Sequence, residues 1–446
     1  MLRPVHRRPH AGAPSHRHAL PPQALAMEVA PVSGEVDNSL FISVVAYIFA
    51  VLVVLRLLLT DNVLNMFINY SGEGGFILEK IHPATQAMLL LLVVTLAKVK
   101  IALTPSEALI ARQLLILLAM IAAMVMLVQV LGRSISLGYL IDTYFGACVA
   151  SFMMFAFPLE KRRMIGHVLV GFIIANSLVS IGEKVTGMRV MPYPYSEAVF
   201  RPTALTNHPL AVGLFSAGGA AFVVATRWAG WIKAIALITI VIGTAASGAR
   251  TGLIFTLASV VGALILTDVG GRSGEERFGR RFLMFGGMVF GGVLLGSLAM
   301  AAGFLERFQG GYIDENASAR IDVYQVFEWV SWNEILFGAD LLEIKAMVME
   351  RLKLLIESSV VIFVFQFGLF GAIALSGTIF WTVWRIASAS DWRGVIAAAA
   401  FSAVAMSNDT LSGKHFHFAV LFLCLLAFRN NAYDYLGPRV RPRWEA

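Results

Sequence analysis

The stretch LFISVVAYIFAVLVVLRLLL, residues 40–59, carries a single charged side chain, Arg56, in an otherwise apolar run. A helix of about 20 apolar residues crosses the hydrocarbon core of a bilayer, which is roughly 30 Å thick. Similar blocks recur along the 446-residue chain, which is 58% hydrophobic and 14% charged and has a mean hydropathy of +0.75. We therefore predict an all-α, polytopic membrane protein with about 12 transmembrane helices. The predicted spans lie near 40–60, 83–102, 109–131, 138–158, 164–182, 205–227, 229–247, 251–268, 282–303, 359–384, 394–410 and 415–428.

The basic residues divide unevenly between the two sides of these spans. Most of the 35 Lys and Arg residues fall in segments on the same side as both chain ends, for example 161–163 and 272–281. The positive-inside rule places that side, and hence both termini, in the cytoplasm. The net charge of +7 is therefore a topology signal, and it gives no support for nucleic-acid binding.

Composition divides the chain into tails, helices and one large loop. Residues 1–38 are rich in Pro, His and Arg and predict a disordered cytoplasmic tail, and residues 429–446 predict a second cytoplasmic tail. Helices one to nine occupy 39–303 and helices ten to twelve occupy 358–428, with a large outer loop at 304–357 between them. Four histidines in the first tail could hold a metal ion, but they lack cysteines and a fixed framework, so we predict no metal site. The two cysteines, Cys148 and Cys424, fall in apolar runs and are predicted to be small buried residues without a disulfide.

The outer segment at 183–205 is rich in aromatic residues. Tyr193, Tyr195 and Phe200 could stack on sugar rings, or they could form an interfacial aromatic belt. Both alternatives remain open at the level of sequence.

Two short motifs place arginine at the mouths of spans. FRPTALTNHPLAVG, residues 200–213, contains Arg201, and its His208 could be a general base or a cap that precedes Pro209. TAASGARTGLIF, residues 244–255, contains Arg250 in what must be a tight outer turn between two apolar runs. Arg250 could anchor a helix end in the interface or present a cation to the bundle.

The large loop at 304–357 is the main hydrophilic outer segment. Its apolar spacing over 317–335 predicts an amphipathic helix lying on the membrane surface. Arg307 and Arg320 flank an acidic turn, where they could form surface ion pairs. At the end of the loop, Glu357 could be a catalytic base or a charge favoured by the helix dipole.

Four features line up along the chain: Arg201 before a His-Pro helix start, the turn SGARTG at 247–252, the large outer loop, and Glu357 at the mouth of the next span. This arrangement resembles the O-antigen polymerase and ligase superfamily of bacterial membrane glycosyltransferases, and within it the exopolysaccharide polymerases. The likeness covers residues 160–428. Ala204 departs from it, because glycine is frequent in the family at that place. In the family's ligases a histidine stands where this chain has Glu357, which favours a polymerase.

The resemblance implies a GT-C-like bundle in the bacterial inner membrane, with its active site facing the periplasm. A glycan carried on undecaprenyl pyrophosphate would be transferred to a hydroxyl group of an acceptor glycan, without metal or cofactor. A flippase, a chain-length regulator and an export protein are the implied protein partners. A ligase of the same class is the alternative enzyme, and a transporter or flippase of lipid-linked sugars is the alternative outside that class.

The resemblance also implies roles for individual residues. The guanidinium group of arginine can donate two parallel hydrogen bonds to a departing pyrophosphate. An acceptor hydroxyl group needs a base within hydrogen-bond reach. The expected pyrophosphate contacts are Arg201, Arg250, Arg320 and Arg307. The expected bases are Glu357 first and His208 second, and the expected contacts to the acceptor glycan are Tyr193, Tyr195 and His415.

Overall fold

The structure is a computed structural model that describes residues 39–71, 77–132, 137–194, 199–267, 274–301, 303 and 315–429. Every regular element within these ranges is a helix, which confirms the all-α prediction. The tail predicted at 1–38 lies outside the described residues, and so does the tail predicted at 429–446 beyond Arg429. Tyr195 and Arg307 lie outside them as well.

A helix occupies each of the twelve predicted blocks, and short helices occupy the large loop. In chain order the helices are α1 (Ser39–Leu58), α2 (Asp61–Leu64), α3 (Pro83–Lys98), α4 (Pro105–Val130), α5 (Gly146–Phe155, preceded by a π-helical segment at Leu140–Phe145), α6 (Leu159–Thr186), α7 (Pro209–Ala225), α8 (Gly230–Ala246), α9 (Arg250–Ile265), α10 (Gly274–Ala301), α11 (Glu315–Asp322), α12 (Val326–Trp329), α13 (Trp332–Phe337), α14 (Leu341–Leu352), α15 (Ser359–Ser388), α16 (Trp392–Met406) and α17 (His417–Ala427).

Four of the described helices, α1, α4, α6 and α15, are long and apolar enough to cross a membrane. The described residues also form shorter apolar helices of 10–17 residues. The chain is therefore a membrane-embedded helical protein.

Local sequence explains where several of these helices begin. Proline is the first residue of α3, α4 and α7, a position whose backbone N–H has no partner within the helix. Thr104 and Glu107 form a capping box at the start of α4, in which each side chain accepts a hydrogen bond from the other residue's backbone N–H. These starts set the helix boundaries at the two ends of the bundle.

The backbones of α7 and α9 touch where two glycines meet. A Cβ atom on Gly252 would lie 2.5 Å from the Cα of Gly213, so neither position has room for a side chain. Helices α6 and α8 meet in the same way, because a Cβ on Gly243 would lie 2.6 Å from the carbonyl oxygen of Ser177. Small residues allow membrane helices to approach this closely. The two crossings hold the loops that adjoin these helices in register.

Contacts between loops identify one end of the bundle, which we call the polar end. It is formed by the segments 59–71, 187–194, 199–208, 247–249 and 407–416. Hydrogen bonds join these segments to one another: Asn207 to Asp61 (2.7 Å), Arg201 to Ser247 (3.4 Å) and Lys414 to Tyr70 (2.7 Å).

A buried ion cluster holds other helix termini together, and we call this the opposite end. Glu107 of α4 accepts a hydrogen bond from Arg162 of α6, and the same carboxylate oxygen lies 3.5 Å from Nη1 of Arg429, just after α17. These three side chains come from predicted cytoplasmic ends, whereas the polar end collects predicted outer segments. The packing thus groups the segments as the alternating topology requires.

The amphipathic helix predicted over 317–335 is broken in the structure. The chain forms α11, a 3₁₀ turn, α12 and α13, with extended backbone at Val330. The physical reason is the Ser331–Glu334 capping box, which starts a new helix at a point where the apolar spacing continues. Phe327 stacks on Phe365 of α15 with ring centroids 5.2 Å apart, so part of the apolar face packs on the bundle.

Helix α15 is kinked at Gly368, whose φ is 75°. A Cβ there would lie 2.9 Å from the Cα of Phe337, and the N–H of Ala339 donates to the carbonyl oxygen of Phe365 across 2.8 Å. The outer segment therefore packs directly into the kink, and the glycine is required by both the conformation and the space.

Candidate functional site at the polar end

Two polar side chains of α6 organise the loop that carries Arg201. The buried carboxylate of Glu183 accepts hydrogen bonds from the backbone N–H groups of Val190, Thr203 and Ala204, at 2.6–2.8 Å. Asn176 accepts from the N–H of Leu205 at 2.9 Å. Backbone groups that would otherwise be unpaired are satisfied in this way, so residues 190 and 203–205 are held against α6.

Ala204 lies in the left-handed region of backbone conformation, with a φ of 53°. This region favours glycine, because a Cβ atom there crowds the backbone. The position where the resembled family frequently has glycine thus has the backbone of a glycine in this chain.

The structure brings Arg201 to the turn that precedes Arg250. The Nε–H of Arg201 donates to the carbonyl oxygen of Ser247 at 3.4 Å. Only residues 247–249 separate α8 from α9, which confirms the tight turn, and Arg250 is the first residue of α9. Both arginine side chains are half-buried. Two of the four predicted pyrophosphate contacts therefore belong to one neighbourhood at the polar end.

His208 is the N-cap of α7. Its Nδ1 accepts a hydrogen bond from the N–H of Leu210 at 3.2 Å. In a neutral imidazole this leaves the proton on Nε2, so no second lone pair is available to take a proton. His82 caps α3 in the same way, accepting from Ala84 at 3.0 Å. The capping alternative is confirmed for His208, and the geometry disfavours it as a base.

Two aromatic residues near Arg201, Tyr193 and Phe200, pack around an arginine. The guanidinium carbon of Arg189 lies 4.3 Å from the ring centroid of Tyr193 and 4.8 Å from that of Phe200. The Tyr193 ring is 6.2 Å from the His208 ring. Tyr193 is half-buried beside His208, while Tyr195 lies outside the described residues.

A pocket opens between the end of α1 and the segment 414–417. Its empty space, including the opening to solvent, is about 330 Å³. The polar residues that line it are Arg56, Thr60, Asp61, Thr206, Asn207, Lys414, His415 and His417. The predicted acceptor contact His415 is therefore a wall of this pocket, with its ring 4.8 Å from that of His417.

The π-helical segment before α5 forms hydrogen bonds to the loops around the pocket. Asp142 accepts hydrogen bonds from the Tyr70 hydroxyl at 2.8 Å and from the N–H of His82 at 3.0 Å. Thr143 donates to the carbonyl oxygen of Gly413 and accepts from the N–H of His415. A π-helical turn, which is often found at functional sites, thus fixes two of the loops at the polar end.

Burial changes the pKa of two side chains in the pocket. It lowers the pKa of Lys414 to about 8, and it also lowers the pKa of the His415 imidazole. Near pH 7 the pocket therefore holds a protonated Lys414 beside a neutral His415. The Lys414 ammonium group donates to the carbonyl oxygens of Tyr70 and Lys80 at 2.7 and 3.0 Å.

Glu357 is exposed and lies at the polar end, just before α15. Ser358, rather than Glu357, caps that helix. Ser359 donates to the carbonyl oxygen of Asn408 at 3.0 Å, so the chain around Glu357 is attached to the turn that continues into Lys414. Arg320, another of the predicted pyrophosphate contacts, lies on α11.

Arg56, inside the first predicted span, and Asp61 and Asn207 have no predicted role. The signal for Arg56 was present, since a lone charge in an apolar helix points to function by default. Asp61 and Asn207 are 146 residues apart, and nothing local in the sequence pairs them.

Comparisons of this chain with protein-family models, with curated proteins and with solved structures return no match. The chemistry of the polar end must therefore be inferred from its own residues.

Proposed function

We propose that this protein is a membrane glycosyltransferase that polymerises polyprenyl-pyrophosphate-linked oligosaccharide units at the outer face of a bacterial inner membrane. The observation that carries the proposal is the meeting of Arg201 with the Ser247–Ala249 turn that leads into Arg250. It supports a shared cationic site at a membrane-helix end. The left-handed backbone at Ala204 adds support for the motif around Arg201.

In this proposal the acceptor hydroxyl oxygen attacks the anomeric carbon of the lipid-linked glycan. The bond between that carbon and the pyrophosphate oxygen breaks, and the pyrophosphate leaves with the electron pair. Arg201 and Arg250 stabilise the charge that develops on it, because guanidinium groups bind phosphate oxygens in a bidentate manner. Arg320 and Arg307 remain proposed additional contacts.

Glu357 is the proposed base that takes the proton of the acceptor hydroxyl. Its exposure leaves the carboxylate accessible to a substrate, whereas the Nδ1 lone pair of His208 is used in capping. Tyr193 and His415 are the proposed contacts to the acceptor glycan. No metal or organic cofactor is proposed.

The proposal includes twelve membrane crossings, a GT-C-like architecture and both termini in the cytoplasm. The presence of a helix in each predicted block supports the count. The grouping of outer segments at the polar end supports the assignment of that end to the periplasm.

The test uses purified protein and a lipid-linked repeat unit, with products resolved as ladders on a gel. Arg250→Ala should slow polymerisation by about 10²–10³-fold, as the loss of a charge-stabilising donor does. Glu357→Gln should slow it by about 10²–10⁴-fold, the usual contribution of a general base. Arg351→Ala, which removes an exposed arginine stacked on Trp329 in the outer segment, is the matched control and should retain activity.

Two results would contradict the proposal. If wild type transfers a single finished glycan without building ladders, the protein is a ligase. If wild type leaves the units unjoined but moves them across vesicles, it is a transporter.

A further inference from the structure

The pocket at the end of α1 concentrates buried polar atoms that have no hydrogen-bond partner within the part of the chain that the structure describes. They are Nε and Nη2 of Arg56, Oγ1 of Thr60 and Nδ1 of His417. These residues are 4%, 8% and 5% exposed. Buried polar groups in proteins are nearly always hydrogen-bonded, and an unmet donor on a charged group is especially costly. Their gathering around one pocket points to a polar ligand.

The two unpartnered atoms of Arg56 define the shape of that ligand. Nε–H and Nη2–H lie side by side on one edge of the planar guanidinium group. This edge binds two oxygens of one carboxylate or phosphate group at the same time. The guanidinium group also lies over an aromatic ring, because its carbon is 5.2 Å from the ring centroid of Phe416.

The charges of the pocket limit the charge of the ligand. Among the residues that line the pocket, Arg56 and a protonated Lys414 contribute two positive charges, and Asp61 contributes one negative charge. Asp61 is already engaged by the amide of Asn207 at 2.7 Å, and Asp142, which does not line the pocket, also acts on Lys414. A net positive charge this small matches a carboxylate better than it matches a pyrophosphate, which carries more negative charge.

We infer that this pocket binds the carboxylate group of an acidic sugar. A carboxylate offers about four lone-pair positions, enough for the edge of Arg56, the Thr60 hydroxyl and an N–H of His417. The binding of a carboxylate stands independently of the polymerase, whereas its placement on the acceptor glycan rests on the proposed function. The site would select glycans that contain uronic acid residues.

The experiment uses the full chain in detergent and titrates sodium glucuronate by saturation-transfer NMR, with glucose as the uncharged probe. Glucuronate should bind saturably and glucose should not. Arg56→Lys keeps the charge but loses the paired edge, and it should weaken glucuronate binding by about tenfold, the loss of one charge-assisted hydrogen bond. Arg393→Lys, at the start of α16 and far from the pocket, is the matched control. Thr60→Val is a second variant of nearly the same shape and should also weaken binding.

Glucuronate binding no stronger than that of glucose would overturn the inference, and so would wild-type binding by both Arg56→Lys and Thr60→Val. Inorganic phosphate is added as a competitor. If it displaces glucuronate at a lower concentration than glucuronate itself needs, the pocket is a phosphate site and the carboxylate assignment is wrong. The ladder assay is separate, so a failure of polymerisation with intact glucuronate binding is distinguishable.

Discussion

At the scale of single residues, Ala204 combines full burial with a left-handed backbone. That conformation costs a non-glycine residue roughly 1–2 kcal/mol, while removal of its buried methyl group costs about 0.8 kcal/mol. Ala204→Gly should therefore leave the free energy of unfolding unchanged or raise it by up to about 1 kcal/mol. Denaturant unfolding in detergent measures this change.

Ala211→Gly supplies the control for this substitution. Ala211 is buried within α7, where glycine costs about 1 kcal/mol relative to alanine. The two variants should thus shift stability differently. An equal loss in both would show that Ala204 is not strained.

His208 can be tested as a cap separately from any chemistry. Asparagine is a good N-cap and alanine is a poor one, so His208→Ala should lower the free energy of unfolding by about 1 kcal/mol and His208→Asn should retain most of it. If His208 acts only as a cap, the polymerisation rate should also survive in His208→Asn. A rate lost in the asparagine variant, with stability intact, would restore His208 as a candidate base.

Lys414 gives the carboxylate pocket a dependence on pH. Because burial lowers its pKa to about 8, its positive charge is present below that pH and is lost as the pH rises through it. Glucuronate binding should therefore weaken between about pH 7 and 9, whereas an ordinary lysine would keep its charge to about pH 10. The charged and titratable groups that act on Lys414 are Asp142 and Asp61, which raise its pKa, and Lys80 and Arg56, which lower it. Lys414→Arg should bind equally across this range, and a wild-type profile that is also flat would contradict the assignment.

At the scale of helices, the Gly213–Gly252 contact sets the position of the two arginine motifs. A methyl group on Gly252 would lie 2.5 Å from the backbone of Gly213, so Gly252→Ala must push α7 and α9 apart. Overpacking of this kind costs about 1–3 kcal/mol, and it should reduce polymerisation through the displaced Arg250. Both the melting temperature and the ladder assay should report the loss.

Gly182 provides the matched helix substitution. It lies in α6 with no atom within 4 Å of an added Cβ. Gly182→Ala should therefore be neutral or stabilising, since alanine is favoured over glycine in a helix. Similar losses in both variants would mean that the crossing of α7 and α9 tolerates a methyl group.

The same scale shows what sequence could predict. Apolar blocks located the helices, because this signal is local. The amphipathic spacing over 317–335 predicted one continuous helix. A capping box at Ser331 instead starts a new helix there, and it does so without disturbing the apolar pattern. The kink at Gly368 was not predictable either, because it depends on the approach of Phe337 from another segment.

At the scale of the whole molecule, we predict that the two ends of the bundle lie on opposite sides of the membrane. Ser331 of the outer segment and Ser388 at the end of α15 are both exposed. An impermeant maleimide should label Ser331→Cys in intact spheroplasts, and it should label Ser388→Cys only after permeabilisation. The native Cys148 and Cys424 are fully buried, so wild type provides the low-background control. Labelling of both positions from outside would contradict the alternating topology.

The candidate site is formed by contacts between parts of the chain that are far apart in sequence. Lys414 and Tyr70 are 344 residues apart and yet share a hydrogen bond. The motifs placed Arg201 and Arg250 in one expected pyrophosphate site, but only packing could show that Arg201 contacts the turn that precedes Arg250. The pocket around Arg56 was hidden for the same reason, because its walls come from the beginning, middle and end of the chain.

The kink in α15 has a mechanical consequence. The piece of α15 that precedes Gly368 contains Phe365 and Ser359. Phe327 stacks on Phe365, and Ser359 is hydrogen-bonded to the 408–412 turn. The segment that contains Phe327 and the turn that leads to Lys414 therefore contact the same piece of helix, which joins the rest of α15 at Gly368. In the proposed polymerase, a glycan chain that displaced Phe327 would therefore act on the same piece of helix that holds the turn leading to Lys414.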